Sequence, residues 1–318
     1  MNNNLTEYKT TKYRPIPSVK SIIFFSCVCV GFITIIFSDK ISQRIVETAT
    51  DTANTVLPSL FPFMVLSDFM VKSDLCSYLK IFPGKFLGFF AGIKDEVTCA
   101  VILGLLSGFP VGASMICEMY KRGDISKKDA EKALCVSHNT GPAFPISFIG
   151  TYLYGNTAFG VYVYFSQILS MILLSRIIFI SSKNTEMIVS QSREKVNYTA
   201  ALTDAIKKSA FCCITVCASI VFWKTVCEFF TVFSPTINAV IISFFEFSSG
   251  SIAAAEIGGI TGAAIIGFAV GFGGLAAMFQ AASFSSDSGL SLSKAFFFKI
   301  AQGITCALFT ASFYLIVE

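Results

Sequence analysis

Three interruptions in otherwise apolar sequence hold the residue types that could do chemistry. The first is Ser107-Gly108-Phe109-Pro110-Val111-Gly112. The second is Ser137-His138-Asn139-Thr140-Gly141-Pro142-Ala143-Phe144-Pro145. The third is Gly271-Phe272-Gly273-Gly274, with Gln280 beyond it. A break in a membrane helix strands backbone N–H and C=O groups, and in hydrocarbon each costs several kcal/mol, so a break persists only against protein or a water-filled cavity. The half-helix that restarts after a break points free N–H donors and roughly half a positive charge at whatever lies in front of it. Two such starts converging at the midplane suit an anionic group. The candidate substrate-binding residues are therefore Ser107, Gly108, Phe109, Pro110, Gly112, Asn139, Thr140, Gly141, Gly271, Gly273, Gly274 and Gln280.

A second set centres on an acid. Glu246 stands in Ser243-Phe244-Phe245-Glu246-Phe247-Ser248-Ser249-Gly250. A charged side chain at the bilayer centre costs about 2.5–3.5 kcal/mol on insertion scales, so its default reading is a function or a buried partner. Glu246 with Ser248 and Ser249 is the candidate site for a coupling proton or sodium ion; the same glutamate could instead hold a half-helix terminus. Glu256 is the next candidate acid. Asp68 reads as structural. Glu118 is expected to pair with Lys121 and Arg122, three and four residues on. His138 is the one histidine and reads either as a proton relay or as a satisfied hydrogen-bonding group.

Other chemistries find no residues to carry them. There is no Ser/His/Asp set, no paired carboxylates placed for acid–base work and no metal cluster, so neither catalytic residues, a metal, a cofactor nor enzyme activity is expected. The 11 cysteines lie mostly inside apolar runs and form no CxxC pair, which fits cysteine as a small hydrophobe. Gly271-Phe-Gly273-Gly-Leu-Ala276 mimics a dinucleotide fingerprint but lacks the soluble α/β setting that motif needs. The net charge of +4 is small and spread through connectors, which argues against nucleic acid.

The elements that must position these residues follow from composition. Apolar residues are 54% of the 318 and charged residues 14%, against about 25% charged in ordinary soluble domains. At about 20 residues per crossing, there is room for about eight to ten spans or half-spans. Residues 1–20 read as a polar cytoplasmic tail, 21–37 as a retained first span, and 39–56 as an amphipathic interfacial helix. Pro58 and Pro62 are expected to break the short apolar piece 57–71. The stretches 97–120 and 133–155 read as re-entrant hairpins with their breaks at the tips. Clean spans are expected at 157–180, 209–230 and 295–316, with a polar connector at 181–208 and broken apolar pieces over 235–285. Shifting the chain by 163 residues pairs Gly104 with Gly267 and Gly108 with Gly271, and matches roughly eight of eighteen positions over 98–115. The fold class is all-α: a polytopic membrane protein with two inverted repeats, broken helices and re-entrant hairpins. The membrane domain spans 21–316, with repeat one at about 57–180 and repeat two at about 209–316.

Pro58-Ser-Leu-Phe-Pro62-Phe, Ser107-Gly-Phe-Pro-Val-Gly112-Ala, Asn139-Thr-Gly-Pro142 and Phe245-Glu246-Phe-Ser-Ser-Gly250 resemble, in order, the YlbJ-like sporulation integral membrane proteins. These belong to the wider nucleoside recognition or Gate-domain group, related to concentrative nucleoside transporters. The resemblance runs from about residue 40 to 316. It implies an all-helical fold with two inverted repeats and transport of dipicolinate, a small aromatic dicarboxylate, across the forespore membrane. The expected function is a small-anion transporter working by alternating access in the cell or forespore membrane, with the lipid bilayer and a homo-oligomer as partners. The alternatives are an ion-coupled nucleoside or neutral-solute carrier and a non-transporting sporulation scaffold.

Overall fold

Every regular element among the described residues is helical. The computed structural model describes residues 19–75, 78, 83–93, 95–180, 197–227 and 233–317. It divides into two units, Met1–Val46 and Glu47–Glu318. The expected tail falls almost wholly outside the described residues, and so does 181–196 of the connector at 181–208.

In the first unit, α1 runs over Val19–Ile36 and α2 begins at Ser38. The apolar side chains of Phe24, Phe25, Phe32, Ile35 and Ile36 are exposed along α1, the surface of a helix meant for lipid rather than water.

In the second unit, α2 ends at Asp51 and the chain passes through a π-helical turn, Thr52–Val56, into α3 at Leu57–Lys72. The expected break at the prolines is not there: α3 runs through Pro62. The irregularity sits just upstream instead. Pro58 cannot supply the N–H of a regular turn, and a wider turn absorbs the mismatch. Then follow α4 (Pro83–Ala91), α5 (Asp95–Ser107), α6 (Val111–Lys121) and α7 (Lys127–Ser137). Ser126 starts α7 by accepting from the Asp129 N–H at 3.1 Å, a standard helix cap. A π-helical segment occupies Ala143–Leu153, again beside prolines, Pro142 and Pro145. The remaining helices are α8 (Thr157–Ile180), α9 (Tyr198–Cys227), α10 (Pro235–Phe245), α11 (Phe247–Ile257), α12 (Gly259–Phe272), α13 (Gly274–Ser285) and α14 (Ser293–Val317). α9 starts well before the expected 209, because Asn197 caps it through Ala200 N–H at 3.1 Å.

Four helical stretches are long and apolar enough to cross a membrane: Thr157–Phe179, Tyr198–Cys227, Gly259–Ser288 and Ser293–Ile316. Three of them show lipid-type exposure, with Phe165, Ile177, Phe211, Ile214, Phe297 and Leu308 turned outward. Gly259–Ser288 differs: 78% of its apolar 18-residue window is buried. It is apolar all round, which is the pattern of a helix enclosed on every side. It forms the centre, with α14, α11, α10 and α8 packed on α12.

The broken segments come in two kinds. α5 packs on α6, and α10 packs on α11, so each pair is a helical hairpin. Their turns are Gly108–Pro110 and the single extended residue Glu246. The other two are interrupted helices. α7 packs on α6 and α14 while the π segment packs on α8, and α12 continues into α13 across Gly273. The shift of 163 therefore pairs unlike elements: Gly108 is a hairpin turn, and Gly271 lies inside α12. The order hairpin, interrupted helix, long span occurs twice at a spacing of about 136 residues, measured from the start of α8 to the start of α14.

Candidate functional site

A cavity of about 860 Å³ opens where the hairpin turns and interrupted helices meet. From the first hairpin come Ser107, Gly108 and Phe109. From the break after α7 come Thr140 and Gly141, and from the second hairpin Glu246 and Ser248. Gln280 on α13 completes the polar lining. Eight of the residues singled out from the sequence thus share one wall. Between them stand aromatic rings, Phe144, Phe148, Tyr152 and Phe247, and one cation, Lys224 of α9. Lys224 makes no ion pair or hydrogen bond among the described residues.

The remaining predicted residues shape the wall from behind. Pro110 is the residue from which α6 starts, and no side chain caps that start; the Phe109–Pro110 peptide is cis. Gly112 is buried where α6 crosses the end of α7, and a Cβ there would collide with the Ser137 carbonyl. Gly104 of α5 meets the same carbonyl, and its Cα lies beside Gly112. Gly271 lets α12 approach α14, with Gln302 O and Gly303 Cα each 2.9 Å from where its Cβ would be. Gly273 has φ +82° and a Cβ there would lie 3.0 Å from Cε2 of Phe109. It ends α12 in the left-handed conformation that glycine adopts freely. Gly274 abuts the Phe245 carbonyl. These glycines act by close approach, the packing alternative to ligand contact.

Glu246 has a definite task. It is 1% exposed. Its Oε1 accepts from the Ser248 N–H at 2.9 Å, and its Oε2 accepts from the Ser249 N–H at 2.7 Å and the Ser248 hydroxyl at 2.6 Å. The carboxylate is the cap of α11, held by three charge-assisted hydrogen bonds and the helix dipole. This is the second of the two roles the sequence left open for it. Glu256, the other candidate acid, is exposed on α11.

Against Phe109 lies a polar cluster that sequence reasoning touched only at Asn139 and Thr140. Lys299 of α14 is fully buried. Its Nζ donates to Asn139 Oδ1 at 3.2 Å and to Gln302 Oε1 at 2.8 Å. Gln302 Nε2 donates to Asn139 Oδ1 at 3.0 Å and to the Gln167 carbonyl at 3.3 Å. The Gln167 amide Oε1 accepts from the Thr140 hydroxyl at 2.5 Å and the Thr140 N–H at 3.2 Å, and its Nε2 donates to the Thr140 carbonyl at 3.1 Å. The Asn139 amide nitrogen donates to the Val136 carbonyl at 2.8 Å. The cluster thus ties α14, α8 and the break after α7. Among the described residues Lys299 Nζ bonds amide oxygens and no carboxylate. Burying an unpaired ion costs several kcal/mol, and hydrogen bonds to a charged group return about 1.5–3 kcal/mol each. Lys299 and Lys224 were both legible as charges inside apolar runs, the signal that exposed Glu246.

His138 adjoins this cluster. It is 2% exposed, neither ring nitrogen has a hydrogen-bond partner among the described residues, and its ring lies tilted against that of Phe109, with centroids 4.3 Å apart. Asp68 and Glu118 belong elsewhere. Lys208 of α9 bridges them at 2.7 and 2.8 Å, and Lys72 pairs with Asp68 and Asp204. Glu118 therefore reaches across to α9 instead of pairing with Lys121 and Arg122 on its own helix and the turn after it. Among the described residues no group of His, Cys, Asp or Glu could hold a metal ion.

The sporulation integral membrane protein YlbJ of Bacillus subtilis (strain 168) is similar to this chain, with 22% identity over 106 residues. The aligned stretch is 33% of this chain and 26% of that protein, so the chain matches about a quarter of the relative's length. No family model matches the sequence. No solved structure matches it either. Together with the four long apolar helices, the similarity makes this a multi-pass integral membrane protein.

Proposed function

We propose that the protein is a transporter of a small organic anion, with dipicolinate as first candidate through the resemblance to YlbJ-like proteins. The observation that carries this reading is convergence: breaks in three separate segments meet at one cavity of about 860 Å³ with aromatic walls and a lysine, Lys224, in its lining. Pockets of about 300–1,000 Å³ with a few placed polar groups are the size and make-up of small-molecule sites. Lys224 supplies the charge for a carboxylate, and the uncapped start of α6 supplies backbone donors. Glu246 neutralises the other half-helix start with its own carboxylate, which disfavours it as the coupling-ion site.

The twofold order of hairpin, interrupted helix and span supports a reading as two inverted repeats with re-entrant hairpins. In that reading one repeat rocks against the other around the cavity and gives alternating access. We read the chain as a carrier rather than an enzyme.

The test is flux of dipicolinate into liposomes holding the purified protein, with uridine as the comparison solute. Dipicolinate uptake that saturates, and that falls about tenfold in Lys224→Gln with insertion unchanged, is the expected result. Uptake of uridine alone would move the chain to the nucleoside-carrier reading. Folded protein that moves neither solute would favour a membrane scaffold.

A further inference from the structure

Lys299 is a fully buried amine in a long apolar span, held by two amide oxygens and by no carboxylate among the described residues. A structural role would be met by a neutral side chain of similar length, since Asn139, Gln302 and Gln167 already bond one another without it. An intramembrane charge is kept by default for an opposite charge that arrives. The position of Phe109 shows from where. The ring lines the cavity, and Lys299 Nζ lies over the ring, 5.8 Å from its centroid. Lys299 itself is fully buried and absent from the cavity lining, so the ring belongs to both surroundings. His138, buried and with both nitrogens unpartnered among the described residues, lies against the same ring. Thr140 links the two surroundings, lining the cavity while bonding Gln167 of the cluster.

We propose that Lys299, with His138 beside it, is a second anion subsite of the transport cavity, closed off by the Phe109 ring. A carboxylate of the transported solute seats against Lys299 Nζ when the ring turns aside. This rests on the transporter reading and adds a specificity-determining residue to it. It also defines the substrate class: an organic anion whose charge is read twice, at Lys224 on the open wall and at Lys299 against the ring.

The experiment is calorimetric titration of the full-length protein in nanodiscs with dipicolinate and with its neutral isostere, pyridine-2,6-dicarboxamide. The readout is the ratio of the two affinities, which a purely structural loss does not move. In Lys299→Gln, which keeps hydrogen-bonding capacity toward Asn139 and Gln302, dipicolinate affinity is expected to fall about 30-fold with the diamide unchanged. Equal dipicolinate affinity in wild type and Lys299→Gln overturns the subsite and leaves the transporter reading standing. Wild type that binds neither compound overturns the transporter reading, and the subsite with it. If Lys299→Gln does not fold, Phe109→Ala decides. Removing the ring is expected to raise the dipicolinate-to-diamide ratio at least about threefold, and an unchanged or lower ratio overturns the proposal.

Discussion

The two helical hairpins, α5–α6 and α10–α11, have the same plan and opposite electrostatics. Each folds back on itself through a turn that reaches the cavity, and each closes by small residues. Gly104 and Gly112 meet in the first, and Gly250 lies against Ser243 in the second. In the second, Glu246 fills the start of α11 with a carboxylate. In the first, Pro110 leaves the start of α6 without a side-chain cap, and the Lys299 side chain lies over the ring of Phe109 in the turn. The same local geometry can therefore be finished in two ways. One hairpin caps its restart with its own carboxylate; the other restarts with no side-chain cap, which the proposed function reads as room for an anion.

What the hairpins share is tested by the largest expected effect. Gly112→Val drives a branched side chain into the Ser137 carbonyl, and Gly250→Val drives one into the Ser243 backbone. Neither neighbour is a flexible side-chain end, so relief requires separating helices. Both variants are expected to lose more than about 4 kcal/mol, seen as failure to give a monodisperse peak in detergent. A variant of either kind that folds normally would show that the hairpins do not close as described.

What divides them is tested next. Glu246→Ala removes the cap of α11 and leaves two N–H groups and the Ser248 hydroxyl without their acceptor. The expected cost is about 2–4 kcal/mol in thermal unfolding. Glu246→Gln keeps one acceptor oxygen and should cost about half as much. Its flux is expected to keep the wild-type response to pH and sodium. Abolition of that response with stability retained would return Glu246 to the coupling role.

The far ends of the hairpins differ as well. Glu118 at the end of α6 is tied to α9 through Lys208, which also holds Asp68, whereas Glu256 at the end of α11 is exposed and in no ion pair among the described residues. Lys208→Met should cost about 1–2 kcal/mol, discounted for its partial exposure, and Glu256→Gln close to nothing.

How much of this was legible in the sequence follows from which signals are local. Breaks are local: Gly108-Phe-Pro110 and Asn139-Thr-Gly-Pro142 announce themselves, and Gly108, Phe109, Thr140 and Gly141 from them line the cavity. Spans are local, so 157–180 and 295–316 were placed to within a residue or two of α8 and α14. Whether a broken segment turns back or runs on depends on which neighbours it packs against. For that reason 133–155, read as a hairpin, is an interrupted helix whose halves pack on different partners, and the glycine match at 163 aligned unlike elements. Glu118 failed for the same reason, since its partner Lys208 lies 90 residues away. Lys299 was visible but passed over, because a single lysine near the start of an apolar run reads as a residue able to reach the interface. Only the packing of α14 on α12, α8 and α7 removes that escape.

The smallest expected effect separates the two turns most directly, because it changes sign between them. Ser248 and Ser107 are serines beside the two turns, and both line the cavity. The Ser248 hydroxyl donates to Glu246 at 2.6 Å; the Ser107 hydroxyl is buried and makes no hydrogen bond. Removing one of three bonds to a buried carboxylate should destabilise Ser248→Ala by about 1 kcal/mol. Removing a buried hydroxyl that has no partner should leave Ser107→Ala neutral or more stable by up to about 1 kcal/mol. If Ser107 is kept for the solute and not for the fold, the stabilised Ser107→Ala protein should bind dipicolinate more weakly. A Ser107→Ala variant that loses stability instead would mean that the first turn is already satisfied from within, and the contrast between the hairpins would collapse.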